Sequence, residues 1–247
     1  MKINIVTMWY NEAFLAPFFL SHYSYVDKIH LLLDTDTDDE TREICDRYAN
    51  VEIEDFTFPD MMDDILKIQK INDVVSSIDC DWVFAVDADE FIFPKNDENP
   101  RDVLSRQTAN LLHTKMWQVY RHRTDGDLDP SKPTIYQRRH GDPDMIHGMN
   151  YLYNKPIIAK PETGIEWLPG CHKHKRNEKI VRSNEHFLGV HWAMADVEMA
   201  IERKIKGRKE RQSKINVQKR LSIHLQTATE EAIRKECEEH LDDPLLF

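Results

Sequence analysis

Along the first ninety positions, short unbroken apolar blocks alternate with longer amphipathic stretches. Ile3 to Met8 and Trp82 to Val86 are too short for helices, and their β-branched and aromatic content predicts strands buried on both faces. Lys28 to Leu33 and Val51 to Phe56 read as two further strands. Between them, Glu12 to Tyr23 places Phe14, Phe18 and His22 at helical spacing, with Asn11 as its expected N-cap. A second helix is expected to run from a cap at Thr37 or Asp38 to Tyr48. From Met61, the stripe Ile65, Ile68, Ile71 or Asn72, Val75 and Ile78 predicts a third. The order β-α-β-α-β-α-β is a Rossmann-like half domain built on a parallel sheet. After Pro94 the pattern is less regular. Leu111 to Tyr120, Thr134 to Arg139, Tyr151 to Lys160 and His186 to Trp192 read as strands. From Ala193 the chain turns helical, ending in a helix over Thr229 to Leu241. The expected organisation is one α/β domain over residues 1–192, in halves 1–94 and 95–192, with a helical extension, 193–247, packed on it.

Ligands of parallel sheets sit outside the carboxyl ends of the strands. Asp87-Ala88-Asp89-Glu90 lies at such an end, and a second apolar patch, closed by Pro94, follows it. Uncompensated, these acids repel and raise one another's pKa values. A divalent cation relieves that conflict, and carboxylate oxygens suit Mg²⁺ or Mn²⁺. A solvated acidic turn is the plainer reading, but apolar sequence flanks the acids on both sides. Asp34, at the end of the second strand, is placed to face a ligand in the same way. The run that starts there begins like a calcium-binding loop, yet its sixth position is Asp39 and its twelfth Cys45, where glycine and glutamate are required. No G-x-G-x-x-G follows the first strand and no P-loop sequence occurs, which disfavours a dinucleotide or P-loop site.

Composition narrows the field further. The 247 residues carry a net charge of −11, from 33 basic and 44 acidic side chains, which does not favour nucleic-acid binding. No run is apolar enough to span a membrane, and Met1 to Val6 begins a strand without a signal pattern, so a cytoplasmic chain is expected. Cys45, Cys80, Cys171 and Cys237 are scattered and read as reduced thiols. The densest positive segment, Arg203 to Arg211, reads either as the solvated face of a helix or as an attraction to phosphate. The second reading implies a lipid-linked acceptor, or peripheral contact with an anionic membrane through residues 203–220.

The ordered series Asn11-Glu12, Asp34 and Val86-Asp87-Ala88-Asp89-Glu90-Phe91 resembles the family 2-like glycosyltransferases of GT-A fold. The closest match is the branch whose acidic motif reads D-A-D-E-F. Asn154-Lys155-Pro156-Ile157-Ile158-Ala159-Lys160-Pro161, Gly170-Cys171-His172 and Val190-His191-Trp192 resemble its K-x-I-x-x-P, G-x-H and H-Y segments. Lys204 and Gly207 fall where its closing K-x-x-G lies. The resemblance covers roughly residues 1 to 210. It implies a mixed sheet flanked by helices, with residues 1–94 binding nucleotide and 95–192 binding acceptor and completing the metal site. It also implies a hexosyltransferase-like activity, expected to be inverting, within polysaccharide biosynthesis. The donor would be a nucleotide-diphosphate sugar, with UDP favoured and GDP open, and the acceptor a saccharide or lipid-linked.

In that reading Asp87 and Asp89 jointly hold Mn²⁺ or Mg²⁺, which neutralises the departing diphosphate. Asp34 and Asn11 line the nucleotide pocket and Lys70 reaches the diphosphate. His172 completes the metal site, with His191 as the alternative and His174 behind both. The acceptor's base is expected at Asp144, with Glu166 second, because the common E-D pair is missing. Phosphatases that share a D-x-D need Thr or Val where Glu90 stands. Sugar-nucleotide pyrophosphorylases want a glycine-rich loop in place of Trp9-Tyr10-Asn11-Glu12. A catalytically degenerate sugar- or nucleotide-binding module is the remaining alternative.

Overall fold

A computed structural model describes residues 1–143 and 154–247. Strands β1 (Ile3–Trp9), β2 (Lys28–Asp34), β3 (Val51–Phe56) and β4 (Trp82–Ala85) pair in parallel, linked by α1 (Ala16–His22), α2 (Thr41–Cys45) and α3 (Asp64–Ser77). Strands β5 (Glu90–Pro94), β6 (Leu111–Tyr120), β7 (Asn154–Ala159) and β8 (Arg182–Met194) extend the same sheet, and α4 (Pro100–Ser105) lies between β5 and β6. The strand order is β3-β2-β1-β4-β7-β6-β8-β5. Strand β7 runs antiparallel to β4 and β6, and β8 runs parallel to β6 but antiparallel to β5. This is the mixed α/β sheet flanked by helices that the family resemblance implies.

The sheet is covered on both faces, which is why its central strands are continuous apolar runs. Ile3, Ile5 and Trp9 of β1 enter one core with Phe19, Phe84 and Phe91; Val6 and Met8 enter the other with Leu32, Val83 and the Ile68, Ile71 and Val75 stripe of α3. Strand β3 is an edge, and its glutamates are exposed. Asp63 caps α3 by accepting from the amides of Ile65 and Leu66, an arrangement that stabilises a helix by about 1 kcal/mol.

Three local expectations are corrected. Helix α1 starts at Ala16 with Pro17 in its first turn, because Asn11 is left-handed (φ 49°) and bonds Asp38 instead of capping. Helix α2 starts at Thr41 after Glu40, so Thr37 and Asp38 are not its caps. Thr134 to Arg139 is not a strand: a 3₁₀ turn, Thr134–Tyr136, leads into Arg138. That side chain is buried and donates to the carbonyls of Ala195, Gly126 and Gln137, so the stretch serves as a buried arginine tying loops together.

After β8, Asp196 caps α5 (Val197–Ile201), which continues directly as a π-helix, Glu202–Lys209. Helices α6 (Lys214–Gln218), α7 (Ile223–Gln226) and α8 (Glu230–Glu239) follow. The segment returns to the sheet: Met62 bridges to Gln212, and the amide of Asp64 donates to Asn216. No helix among the described residues is long and apolar enough to cross a membrane.

Candidate functional site

Strand β1 connects through α1 to β2 on one side, while α3 delivers β4 to its other side. The carboxyl ends of β1 and β4 therefore diverge, and such a switch point opens a crevice. A cavity of about 320 Å³ lies there. Trp9 to Glu12, Asp34 and Lys67 of α3 form part of its wall, and Arg203, Lys206, Gly207, Arg208 and Arg211 close it.

Asp87 and Asp89 follow β4 and do not line this cavity themselves; they meet it through Lys67 and Arg203, which do, and Asp89 is fully buried. Asp87 accepts from Lys67 Nζ at 2.6 Å, with Lys155 Nζ at 3.8 Å and also in contact with Glu90. Glu90 in turn accepts from the Asp87 amide at 3.1 Å, closing the turn. Asp89 Oδ2 accepts from Arg203 and lies 3.3 Å from His191 Nε2. His191 Nδ1 lies 2.8 Å from Gln118 Oε1. Arg203 also grips buried Glu12, with Nε at 2.9 Å from Oε2 and Nη2 at 2.8 Å from Oε1, a forked contact only a guanidinium can make.

These contacts decide the protonation states. Burial alone would raise both aspartates, but Lys67 and Lys155 hold the Asp87 carboxyl below the usual carboxylate range, and Arg203 with His191 does the same for Asp89. Burial pushes Glu12 up, against Arg203. Burial, reinforced by Lys155, lowers His172 to about 4, so its imidazole is neutral at physiological pH. Burial raises the neighbouring Cys171 thiol to about 12.

The G-x-H segment has a steric reason. Gly170 has φ 78°, and a Cβ there would stand 2.9 Å from His172 Cδ2, so only glycine lets the ring lie against this turn. His172 Nδ1 is buried without a hydrogen-bond partner, and so is Asp89 Oδ1. These two atoms are oxygen and nitrogen donors of the kind Mn²⁺ accepts, and their lack of partners fits a bound divalent ion; His191 Nε2, already facing Asp89 Oδ2 at 3.3 Å, is a third donor of that kind nearby. Among the described residues, the group whose ligand atoms all lie within 4.8 Å of one another is a different one, His122, Asp125 and His140, and none of these lines the cavity.

The other expected residues divide. Asp34 is buried at the cavity wall and accepts from Arg211 at 2.9 Å; Asn11 lines the cavity while bonded to Asp38. Lys70 does not line it: its ammonium pairs with Glu54 on β3, and Lys67, one turn earlier, is the α3 lysine on Asp87. Glu166 pairs with Lys175 at the surface, and His174 bonds Arg182. Asp144 lies outside the described residues.

Sequence reasoning missed Glu12, Lys67, Lys155, Arg203 and Arg211 as parts of the site. Arg203 and Arg211 belong to the basic run read as a solvated face or a phosphate attractor, and both turn inward. Arg211 bonds Asp34 and Asp36 and lies 3.6 Å from the Tyr10 ring centre, while its Nη1 is buried without a partner. The available signal was charge accounting: acids at three buried strand ends require cations from elsewhere in the chain.

No protein-family model matches the chain, and no curated protein matches it. Among solved structures it is similar to S. aureus TarS 1-349, at 13% identity and TM-score 0.44, over 83% of this chain and 63% of that one. It is also similar to TarS 1-349 in complex with UDP-GlcNAc, at 13% identity and TM-score 0.46, over 98% and 72%. A third is glucosyl-3-phosphoglycerate synthase from Mycobacterium tuberculosis in complex with Mn²⁺, UDP and phosphoglyceric acid, at 14% identity and TM-score 0.37, over 66% and 56%. The chain spans less than two thirds of the first of these, and 38% of the longer S. aureus TarS chain.

Proposed function

We propose that the protein is a glycosyltransferase that moves a sugar from a nucleoside-diphosphate donor to a saccharide or lipid-linked hydroxyl, with Mn²⁺ or Mg²⁺ as cofactor. The observation that carries this reading is a cavity rimmed by arginine and lysine, two of which, Lys67 and Arg203, reach the half-buried Asp87 and the buried Asp89, at the switch point of the sheet's parallel half. The unpartnered Arg211 Nη1 supports it, since a buried donor in such a wall suits an anion. The ordered acidic and histidine motifs add the family resemblance.

In this reading Arg208, Lys206 and Arg211 bind the diphosphate and stabilise the charge that develops on it as the glycosidic bond breaks. Asp34 and Asn11 wall the nucleoside. Asp89, His191 and His172 would hold the divalent ion, which supplies Lewis-acid neutralisation of the diphosphate when bound. Asp87 orients Lys67 and Lys155 beside that site. Transfer also needs a carboxylate that takes the acceptor's proton. Asp144 is the first candidate, and Glu166, engaged by Lys175, is the second. UDP-sugars are the favoured donors and GDP-sugars the next.

One observation favours a second reading. Cations already neutralise both aspartates, as a nucleotide-binding module without metal chemistry would allow. Thermal melts with UDP, GDP, CDP and ADP, with and without Mn²⁺, separate the two, coupled to an assay for nucleoside diphosphate released from UDP- and GDP-sugars. Metal-dependent stabilisation by one diphosphate, abolished in Asp89→Ala, is the outcome expected for the transferase. At a hundredfold excess over Kd it amounts to about 2.7 kcal/mol. Stabilisation without metal and without donor turnover would make the chain a binding module. No stabilisation by any nucleotide would remove the donor site altogether.

A further inference from the structure

We infer that Arg203 is a built-in counter-charge that keeps a free divalent cation from Asp89 until a diphosphate arrives, so that metal and nucleotide bind as one unit. The inference rests on the metal-assisted reading of the same site. Four carboxylates, Glu12, Asp87, Asp89 and Glu90, are gathered here and contacted by three cationic side chains, Lys67, Lys155 and Arg203. Arg208 adds a further positive charge within range of both aspartates. The floor is therefore close to electroneutral before any ligand binds. A buried divalent cation entering alone would add unbalanced positive charge, which a low-dielectric site disfavours strongly. A diphosphate entering with it brings the balancing negative charge. The coupling is reciprocal, so nucleotide also binds more tightly with metal.

Arg203 is the residue best placed to impose this order. Lys67 and Lys155 sit on Asp87, whereas Arg203 sits on Asp89, whose other oxygen is unpartnered. Its placement comes from the π-helix, closed by an i→i+5 bond from the Glu210 amide to Ile205 at 3.0 Å. The wide turn shifts side chains off the ordinary helical register. Both ends of the guanidinium are then occupied, one by Glu12 and one by Asp89. Without Arg203 those two carboxylates would be left for a metal to neutralise alone.

The test is equilibrium dialysis of Mn²⁺ against the full chain, alone and with UDP, GDP or inorganic pyrophosphate. Wild type is expected to retain little Mn²⁺ alone and to retain it with at least one diphosphate. Arg203→Met is expected to bind Mn²⁺ alone at least about tenfold more tightly than wild type, since a unit charge close to the ion is removed. Arg203→Lys, which keeps the charge, should stay near wild type. Should Arg203→Met fail to fold, Glu12→Gln/Arg203→Met is compared with Glu12→Gln, and is expected to bind Mn²⁺ at least about tenfold more tightly than that single variant; equal binding by the two would overturn the inference. Wild type binding Mn²⁺ equally well with and without diphosphate, or Arg203→Met showing no gain, would overturn the inference while leaving the metal site in place. Absence of Mn²⁺ binding under every condition would overturn both.

Discussion

Asp89 and its neighbours concentrate the residue-scale consequences. Replacing Asp89 with Ala leaves Arg203 buried with Glu12 alone and removes the carboxylate that His191 Nε2 faces. Breaking a buried ion pair of this kind costs about 3 kcal/mol. The expected result is a clearly lower melting temperature for Asp89→Ala than for Asp87→Ala, whose lysine partner Lys67 keeps access to water. Gly170→Ala is expected to cost about 1–2 kcal/mol from its left-handed backbone alone. The larger effect is displacement of the His172 ring, read as weakened Mn²⁺ retention in the presence of diphosphate. Histidines set the pH response. Burial lowers His22, which lies 2.8 Å from the Ile92 carbonyl, to about 4, the same value as His172. Both are neutral when folded, while the unfolded chain takes their protons near pH 6.5. Their contribution to stability is thus complete above about pH 6.5 and is lost as the pH falls toward 4. Melts between pH 7.5 and 4.5 should show that decline, and His22→Gln should flatten it.

At the scale of elements, the parallel half was legible because burial on both faces leaves unbroken apolar strands, and because α3 carries one clear stripe. The acidic pair was legible because carboxylates directly after a buried strand are costly unless a ligand or a counter-charge meets them. Ends of elements were less so. Asn11 looked like a cap by residue type, yet a left-handed backbone and a bond to Asp38 claim it. The π-helix left no mark in composition, and the density of charge alone left Arg203 and Arg211 open to two readings, a solvated helix face or an attraction to phosphate. Deleting Gly207 should convert this turn toward an α-helix and rotate Arg208 and Arg211 out of the cavity. We expect the fold to persist by circular dichroism while stabilisation by nucleoside diphosphate is lost.

At the scale of the molecule, the segment after residue 192 is not a mere appendage to the site. It supplies the counter-charges for Asp89 and Asp34, which lie on opposite sides of β1 in the strand order. A fragment ending at residue 192 would bury these acids uncompensated, and it is expected to show no cooperative melt by calorimetry. Sequence pattern could mark the helical segment but not its inward turn, because the contacts span more than a hundred residues.

The basic closure of the cavity is graded in depth: Lys206 is exposed, Arg208 half-buried and Arg203 buried. Dissolved salt screens the first far more than the last. Raising ionic strength should therefore slow capture of a diphosphate while leaving its escape rate nearly unchanged, so that the speed of loading and the strength of holding are tuned by different arginines and lysines along one helix.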